Sequence, residues 1–383
     1  MSEIQVGQIN STDGSTAITT GADGYVSFAK TQIGGRRNLI INGAMQVAQR
    51  GTSTSITAQG TYFSPDRFEI GITATDQLAA TLSQSTVSPD GFGNSLKFDV
   101  TTAETAIDAD ELVTIRQKFE GQDLQGIAKG TSSAKQVTLS FWVRSGTTGT
   151  YIAELYDNDN TRQISKAYTI NTADTWEHKT ITFPADTTGA FDNDNNLSLW
   201  CFWWLAAGSN YTSGTLNDSA WASVTNANRV VGQTNLVATT SDFYITGVQL
   251  EVGTVATPFE HRSFGEELAA CQRYFCKSYN YEIAPGASLS VDNLEGANST
   301  AGGTTGTNRP FWAGGPFPVT MRDAPTVTLY NVDGTTGKIT GGSFAKRDGT
   351  AVNIGQRSFN VYNNSGATAD EDHYCIFTAQ SEL

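Results

Sequence analysis

The sequence predicts an all-β protein: a jelly-roll β-sandwich, a hinge helix and a smaller antiparallel β-sandwich, preceded by an extended N-terminal segment. Three observations predict it. Short runs of alternating apolar and polar residues recur along the chain, separated by Gly, Asn, Asp and Pro turn signals. Charged residues are only 16% of the chain and there are 38 glycines, a composition suited to many strands and turns. Helix signals are concentrated in one stretch, residues 264–278.

Residues 1–35 come first. Ile4, Val6 and Ile9 alternate, Ser11–Gly14 and Gly21–Gly24 are turn signals, and Ile18, Tyr25 and Phe28 sit in short strand-like runs. So small a piece cannot bury enough apolar surface to fold alone. It is expected either to attach to another chain through Ile4, Val6, Ile9, Ile18, Tyr25 and Phe28, or to pack on its own domain.

Residues 36–262 read as one sandwich. The expected strands are Asn38–Val47, Arg67–Ile72, Ala79–Ser85, Ser95–Val100, Leu112–Phe119, Gln136–Ser145, Tyr151–Tyr156, Ile164–Ile170, His178–Phe183, Leu197–Ala206 and Asp242–Val252. Val137, Leu139, Phe141 and Val143 share one face of their strand and Trp142 points the other way. The densest aromatic run is Leu199-Trp200-Cys201-Phe202-Trp203-Trp204. Three readings stay open for it: burial of both faces, a subunit contact, or a sugar platform built from Trp203 or Trp204 with Asn210, Tyr211 and Trp221.

Two acidic runs, Asp157–Asn160 and Asp192–Asn196, offer hard oxygen ligands. Neither completes an EF-hand loop, because its sixth and twelfth positions are Arg162 and Tyr168 in one and Leu197 and Trp203 in the other. Turn chemistry accounts for both, so the metal ligands stay unassigned and no cofactor is expected. Cys201, Cys271, Cys276 and Cys375 have no metal-site spacing and read as buried free thiols. His178, His261 and His373 lie beside no nucleophile elbow, zinc motif or P-loop, so the expectation is a protein that is not an enzyme. A pair of glycan-cleaving carboxylates is a tertiary matter that sequence leaves open.

The period changes at Ile245–Asn280. Val248, Leu250 and Val252 alternate as a strand that Thr257-Pro258 stops. Ser263-Phe264-Gly265-Glu266 has capping-box spacing, and a helix over Glu266–Phe275 follows, with Leu268, Cys271 and Phe275 on one side. Beyond it, Gly286–Asn308 reads as a long surface loop. Strands around a proline-marked turn in Phe311–Tyr330, then Ser343–Ala345, Ser358–Tyr362 and His373–Thr378, complete the last domain, giving the division 1–35, 36–262 and 263–383.

The run VQLEVGTVATPFEHRSFGEELAACQRYF resembles a junction in bacteriophage tail-fibre and related host-contacting proteins. RNLIINGAMQVAQRG at 37–51 and YFSPDRF at 62–68 agree with it in order, and FPVTMRDAPTVTLY resembles fibre C-termini. The likeness covers residues 36–280 and extends more weakly to 330. It implies a carbohydrate-binding-module-like jelly roll joined to a C-terminal β domain, a virion location, host surface glycan as partner and a homotrimer. It also implies a structural Ca²⁺ without naming ligands, and it carries over no binding residue. In that setting residues 1–35 would hold other virion proteins.

The net charge of −14 argues against nucleic acid. The opening MSEIQVGQINSTDG lacks the features of a signal peptide, and no apolar run is long enough for membrane insertion, so synthesis in the host cytoplasm is expected. The reading is therefore a non-enzymatic tail fibre or similar appendage subunit that contacts glycan. The alternatives are a capsid-decoration or tail-scaffold protein without a ligand, and a glycan-cleaving tail protein.

Overall fold

The computed structural model describes residues 8–10, 16–20, 26–28, 36–57, 60–73, 76–289, 299–300, 309–311, 316–341, 345–363 and 373–383. Strands β1 (Gln8–Asn10), β2 (Thr16–Thr20) and β3 (Val26–Phe28) form a small antiparallel sheet. In its register Ile9 pairs with Ile18 and Ile18 with Phe28. Ile4, Val6 and Tyr25 lie outside the described residues.

The large domain is a sandwich of two antiparallel sheets. Its strands are β4 (Ser53–Ile56), β5 (Gly60–Phe63), β6 (Glu69–Thr73), β7 (Ala79–Ser85), β8 (Ser95–Thr102), β9 (Leu112–Glu120), β10 (Val137–Ser145), β11 (Gly149–Asp157), β12 (Arg162–Ile170), β13 (Glu177–Phe183), β14 (Leu197–Ala207), β15 (Ala222–Ser223) and β16 (Asp242–Val252). One sheet has the order β13-β10-β16-β8-β7-β4 and the other β15-β12-β11-β14-β9-β6-β5. The chain crosses repeatedly between them, so each strand sends alternate residues into a shared interior. Leu82, Phe98, Leu139, Phe141, Phe243 and Leu250 meet Ile70, Ile115, Tyr151, Leu155, Cys201 and Trp203 there.

Asn38–Val47 is a correction: it is a buried connection, not a strand. Asn42 and Met45 take left-handed φ of 62° and 57°, which a strand cannot accommodate. Side-chain amides replace the ladder. Asn38 Nδ2 donates to the Val248 carbonyl at 3.0 Å and Asn42 Nδ2 to the Val47 and Asp66 carbonyls at 2.9 and 2.8 Å.

After the sandwich, Ser263 caps helix α2 (Phe264–Gln272; a short α1, Ser209–Thr212, precedes it) with both bonds of the capping box. The helix ends before Phe275, which instead starts β17 (Phe275–Lys277) because its backbone pairs with Gln380. The last domain packs a three-stranded sheet, β17-β25-β20, against a six-stranded one, β18-β24-β21-β22-β23-β19. The strands are β18 (Ser299–Thr300), β19 (Arg309–Phe311), β20 (Thr326–Tyr330), β21 (Lys338–Thr340), β22 (Lys346–Val352), β23 (Asn360–Asn363), β24 (His373–Tyr374) and β25 (Ile376–Gln380). Its core is Phe317, Met321, Leu329, Ile339, Phe359, Val361 and Phe377. Most of the expected loop, residues 290–298 and 301–308, and the expected strand residues Ser343 and Phe344 lie outside the described residues.

The junction between the domains is charged and buried. Arg273 reaches Glu120 with two bonds of 2.7 and 2.6 Å, and Glu382 accepts from Arg50 at 2.9 Å and from Arg67. All four cysteines are free and buried, and burial pushes Cys276 and Cys375 up to about 12. Among the described residues, no helix is long and apolar enough to cross a membrane.

Candidate functional site

A cleft of about 490 Å³ opens on the outer face of the large domain's six-stranded sheet, β13-β10-β16-β8-β7-β4. Its floor follows from strand alternation. With Phe141 turned into the core, Ser140 and Trp142 face outward on β10. His178 of β13 pairs directly with Trp142, and the two rings lie 5.1 Å apart. On the other side of β10 the register with β16 slips between Ser140 and Trp142, a β-bulge that carries Gly247 at φ 61°. A Cβ on Gly247 would stand 2.7 Å from Phe92 Cζ and 3.0 Å from Trp142 Cδ1. Glycine therefore serves the backbone conformation and keeps the floor open.

Two connections make the walls. The turn Pro89–Phe92, closed by the Phe92 amide donating to the Pro89 carbonyl, brings in Asp90 and Phe92. The segment after β16 is stopped by Pro258 and folded back by Glu251, which accepts from the Thr257 amide at 2.8 Å and its hydroxyl at 2.7 Å. That return sets Phe259 and His261 against Phe92, at 5.1 and 5.3 Å between ring centroids.

The cleft thus joins aromatic walls to unused polar groups. Among the described residues, the side chains of Asp90, Ser140, Trp142, His178 and His261 make no hydrogen bond within the chain. Burial lowers the His178 pKa, so its imidazole is neutral at pH 7 and can donate at one nitrogen and accept at the other. Ser140, His178 and Asp90 are not linked by hydrogen bonds, the connection that activates a serine nucleophile.

The residues singled out in the aromatic run lie on the opposite sheet. Trp203 is a correction: it points inward, is 0% exposed, and packs on Phe68 and Phe141. Trp204 is a second correction. It points outward but is 1% exposed, because α1 and residues 211–230 cover it, with Tyr211 at 5.5 Å and Val230 and Leu216 in the same cluster. Its Nε1 donates to Glu154, which Arg229 holds with two bonds of 2.8 and 2.9 Å. Neither indole has a free face for a sugar. Asn210 is exposed on α1, and Trp221, half-buried, packs on the sandwich core and donates to the Pro184 carbonyl. So the structure brings Trp204, Asn210 and Tyr211 together, and leaves Trp203 and Trp221 elsewhere. Beside Trp204, Trp200 and Phe202 stack 5.3 Å apart, with Arg116 and Lys118 over Trp200. Those cations are engaged by Glu69.

Sequence reasoning missed Trp142, His178, His261, Phe92 and Phe259. A signal existed, since Trp142 is the large aromatic on the polar side of a well-alternating strand. The acidic runs serve their own turns: Asp157 pairs with Lys129 and accepts from Asn160, and Asp159 accepts from the Asp192 amide.

No protein-family model matches the sequence, and no curated protein does. Among solved structures the chain is similar to a module described as "CBM4 structure and function", with 14% identity over 55% of this chain and 97% of that one, at a TM-score of 0.27. It is similar to the family 11 carbohydrate-binding module from Clostridium thermocellum in complex with a β-1,3-1,4-mixed-linked tetrasaccharide, with 12% identity over 55% and 99% and a TM-score of 0.27. It is also similar to the enzymatically active domain of tailspike protein 4 of bacteriophage CBA120, with 13% identity over 56% of this chain at a TM-score of 0.31. The matched part spans 21% of that tailspike domain's length. Likeness of this degree says nothing of a ligand.

Proposed function

We propose that this protein binds a glycan, without cleaving it, through the cleft floored by Trp142 and Gly247. The observation that carries the proposal is the meeting of aromatic walls with five polar side chains that make no hydrogen bond among the described residues. Pyranose rings present C–H faces that stack on aromatics and hydroxyls that need donors and acceptors, and the cleft offers both. Asp90 is the one carboxylate among the residues lining it, whereas glycoside hydrolysis uses two. The setting in the proposal is a bacteriophage tail fibre or similar appendage, trimeric and joined to the virion through residues 1–35. What supports that setting is the sequence resemblance at 37–51, 62–68 and 248–275. Several copies on one particle would hold a cell through weak individual sites by effective concentration.

The test is a glycan array followed by calorimetry with the best ligand, on the full chain and on Trp142→Ala and Trp200→Ala. The expected result is glycan binding that falls about 10-fold or more in Trp142→Ala and is unchanged in Trp200→Ala, since loss of one stacking platform is worth roughly 1–2 kcal/mol. Failure of the folded protein to bind any glycan, or full affinity in Trp142→Ala, would overturn the proposal.

A further inference from the structure

Outside the cleft, a buried lysine sits between two buried aspartates. Alternation along β11 turns Asp157 the same way as the core residues Ala153 and Leu155, so a carboxylate stands where an apolar side chain belongs. Lys129, in the connection between β9 and β10, follows Ala128, whose left-handed φ of 54° turns the chain. The Lys129 side chain is 2% exposed and that of Asp157 0%. Lys129 Nζ bonds Asp157 Oδ2, and Asp186 Oδ2 lies 3.1 Å from the same nitrogen. The Gly189 and Thr188 carbonyls accept from it at 2.7 and 3.2 Å, which pins it in place. The Trp221 and Phe191 rings lie against it, with centroids at 5.0 and 5.1 Å.

The surroundings of this pair supply what an acyl transfer needs. A nitrogen hydrogen-bonded to one oxygen of a carboxylate lies about 3–3.5 Å from its carbon, the separation of a positioned nucleophile and its target. The Asn160 amide and Nδ2 donate to Asp157 Oδ1 at 3.0 and 3.2 Å, where negative charge gathers when the carbon is attacked. Asp186 is held by Arg162 with two bonds of 2.9 and 3.1 Å and by the Thr188 amide at 3.0 Å. Burial raises the Asp186 pKa, but Arg162, Thr188 and Lys129 outweigh burial and keep it below its ordinary value, so Asp186 is ionised and free to take a proton. Enclosed ions have lost their hydration at a cost, and turning the amine and carboxylate into an amide removes both charges at once. A bond made once per chain needs no fast step.

We propose that Lys129 and Asp157 condense into an intramolecular isopeptide bond, with Asp186 carrying the protons. One ammonium proton passes through Asp186 to Asp157 Oδ2, which leaves a neutral amine facing a neutral carboxyl. The nitrogen attacks Cγ, the N–C bond forms, and the C=O pair moves to Oδ1, where Asn160 donates. A second proton passes from nitrogen to Asp186 and on to Oδ2, the Cγ–Oδ2 bond breaks, and one water leaves. Two protons and one oxygen are lost, nothing is oxidised or reduced, and Asp186 ends as it began. The product ties the β9–β10 connection to the end of β11 and is independent of glycan binding.

The experiment is intact-mass spectrometry of the denatured full chain, followed by protease digestion and sequencing of any cross-linked peptides. The wild type is expected to be lighter than its sequence by one water and to give one peptide pair joined through Lys129 and Asp157. Lys129→Arg keeps the charge and the ion pair but has no amine that condenses, so it is expected at full mass. Asp186→Asn keeps a polar side chain beside Arg162 but takes no proton, and is expected to form the bond at least about 100-fold more slowly, followed by mass over time in freshly purified protein. Circular dichroism checks that both variants fold, and the wild-type mass and linked peptide decide the matter even where a variant does not. A wild type of full mass, or a water lost anywhere but between Lys129 and Asp157, overturns the proposal. Undiminished bond formation in folded Asp186→Asn overturns the assignment of Asp186.

Discussion

Removing the Glu382 carboxylate tests how far the buried charges hold the two sandwiches together. Glu382 has 7% of its side chain exposed and Arg67 2%. In Glu382→Ala, Arg67 keeps the Lys118 carbonyl at 2.8 Å and the Tyr274 ring, 3.4 Å from its guanidinium carbon to the centroid. It loses its anionic partner, and its Nε has no partner even in the intact protein. Leaving one member of a buried pair uncompensated costs about 3–5 kcal/mol, and the retained carbonyl and ring contacts put this case at about 3. Replacing both members with apolar groups costs far less, so Glu382→Ala/Arg67→Met is expected to be more stable than Glu382→Ala alone. Urea unfolding followed by tryptophan fluorescence at pH 7 reads all four corners of the cycle. The pH dependence carries the same sign. Arg67 and Arg50 outweigh burial and hold the Glu382 pKa below its ordinary value. Its contribution is therefore complete above the unfolded pKa of about 4.3 and disappears as pH falls through the lower, folded value. A loss under about 1 kcal/mol in Glu382→Ala, or strictly additive effects in the cycle, would refute the reasoning.

Gly247→Val is expected to lower stability by about 1–3 kcal/mol and to abolish binding in the cleft, because its side chain meets Phe92 and Trp142 and its φ of 61° disfavours a branched residue; calorimetry and melting check both. Arg229→Ala leaves the fully buried Glu154 with only the Trp204 donor, and a loss of about 3 kcal/mol with glycan affinity unchanged is the expected pairing of results. The His178 ring titrates below its ordinary 6.5 because burial disfavours the cation, so NMR should give a lowered midpoint. Its small contribution to stability is complete above 6.5 and lost as pH falls toward the folded value.

Strand positions were readable where one face is apolar: Ala79–Ser85 and Asp242–Val252 are found as expected to the residue. The capping box at Ser263 was equally local and equally readable. Asn38–Val47 was not, because its apolar residues point into the molecule from a connection held by Asn38 and Asn42 side chains that bond residues far away in sequence. The aromatic run shows a different limit. Alternation correctly divides Trp200, Phe202 and Trp204 from Trp203, but it cannot show that residues 208–230 return to cover Trp204. The candidate cleft was hidden for the same reason. Its floor obeys the local period, while Phe92 and His261 arrive from segments that no local pattern connects.

The junction also orders events in time. Glu382 lies 332 residues from Arg50 and 315 from Arg67 along the chain. The sandwich residues are made early and can collapse as the chain emerges, but Arg67 stays without its carboxylate until nearly all of the second domain has been synthesised. During that interval the surface that later receives residues 380–383 is exposed, and the same segment of another copy fits it equally well. A long delay between the two would therefore favour exchange of this segment between neighbouring chains, a route to tangled pairs that begins in the order of translation.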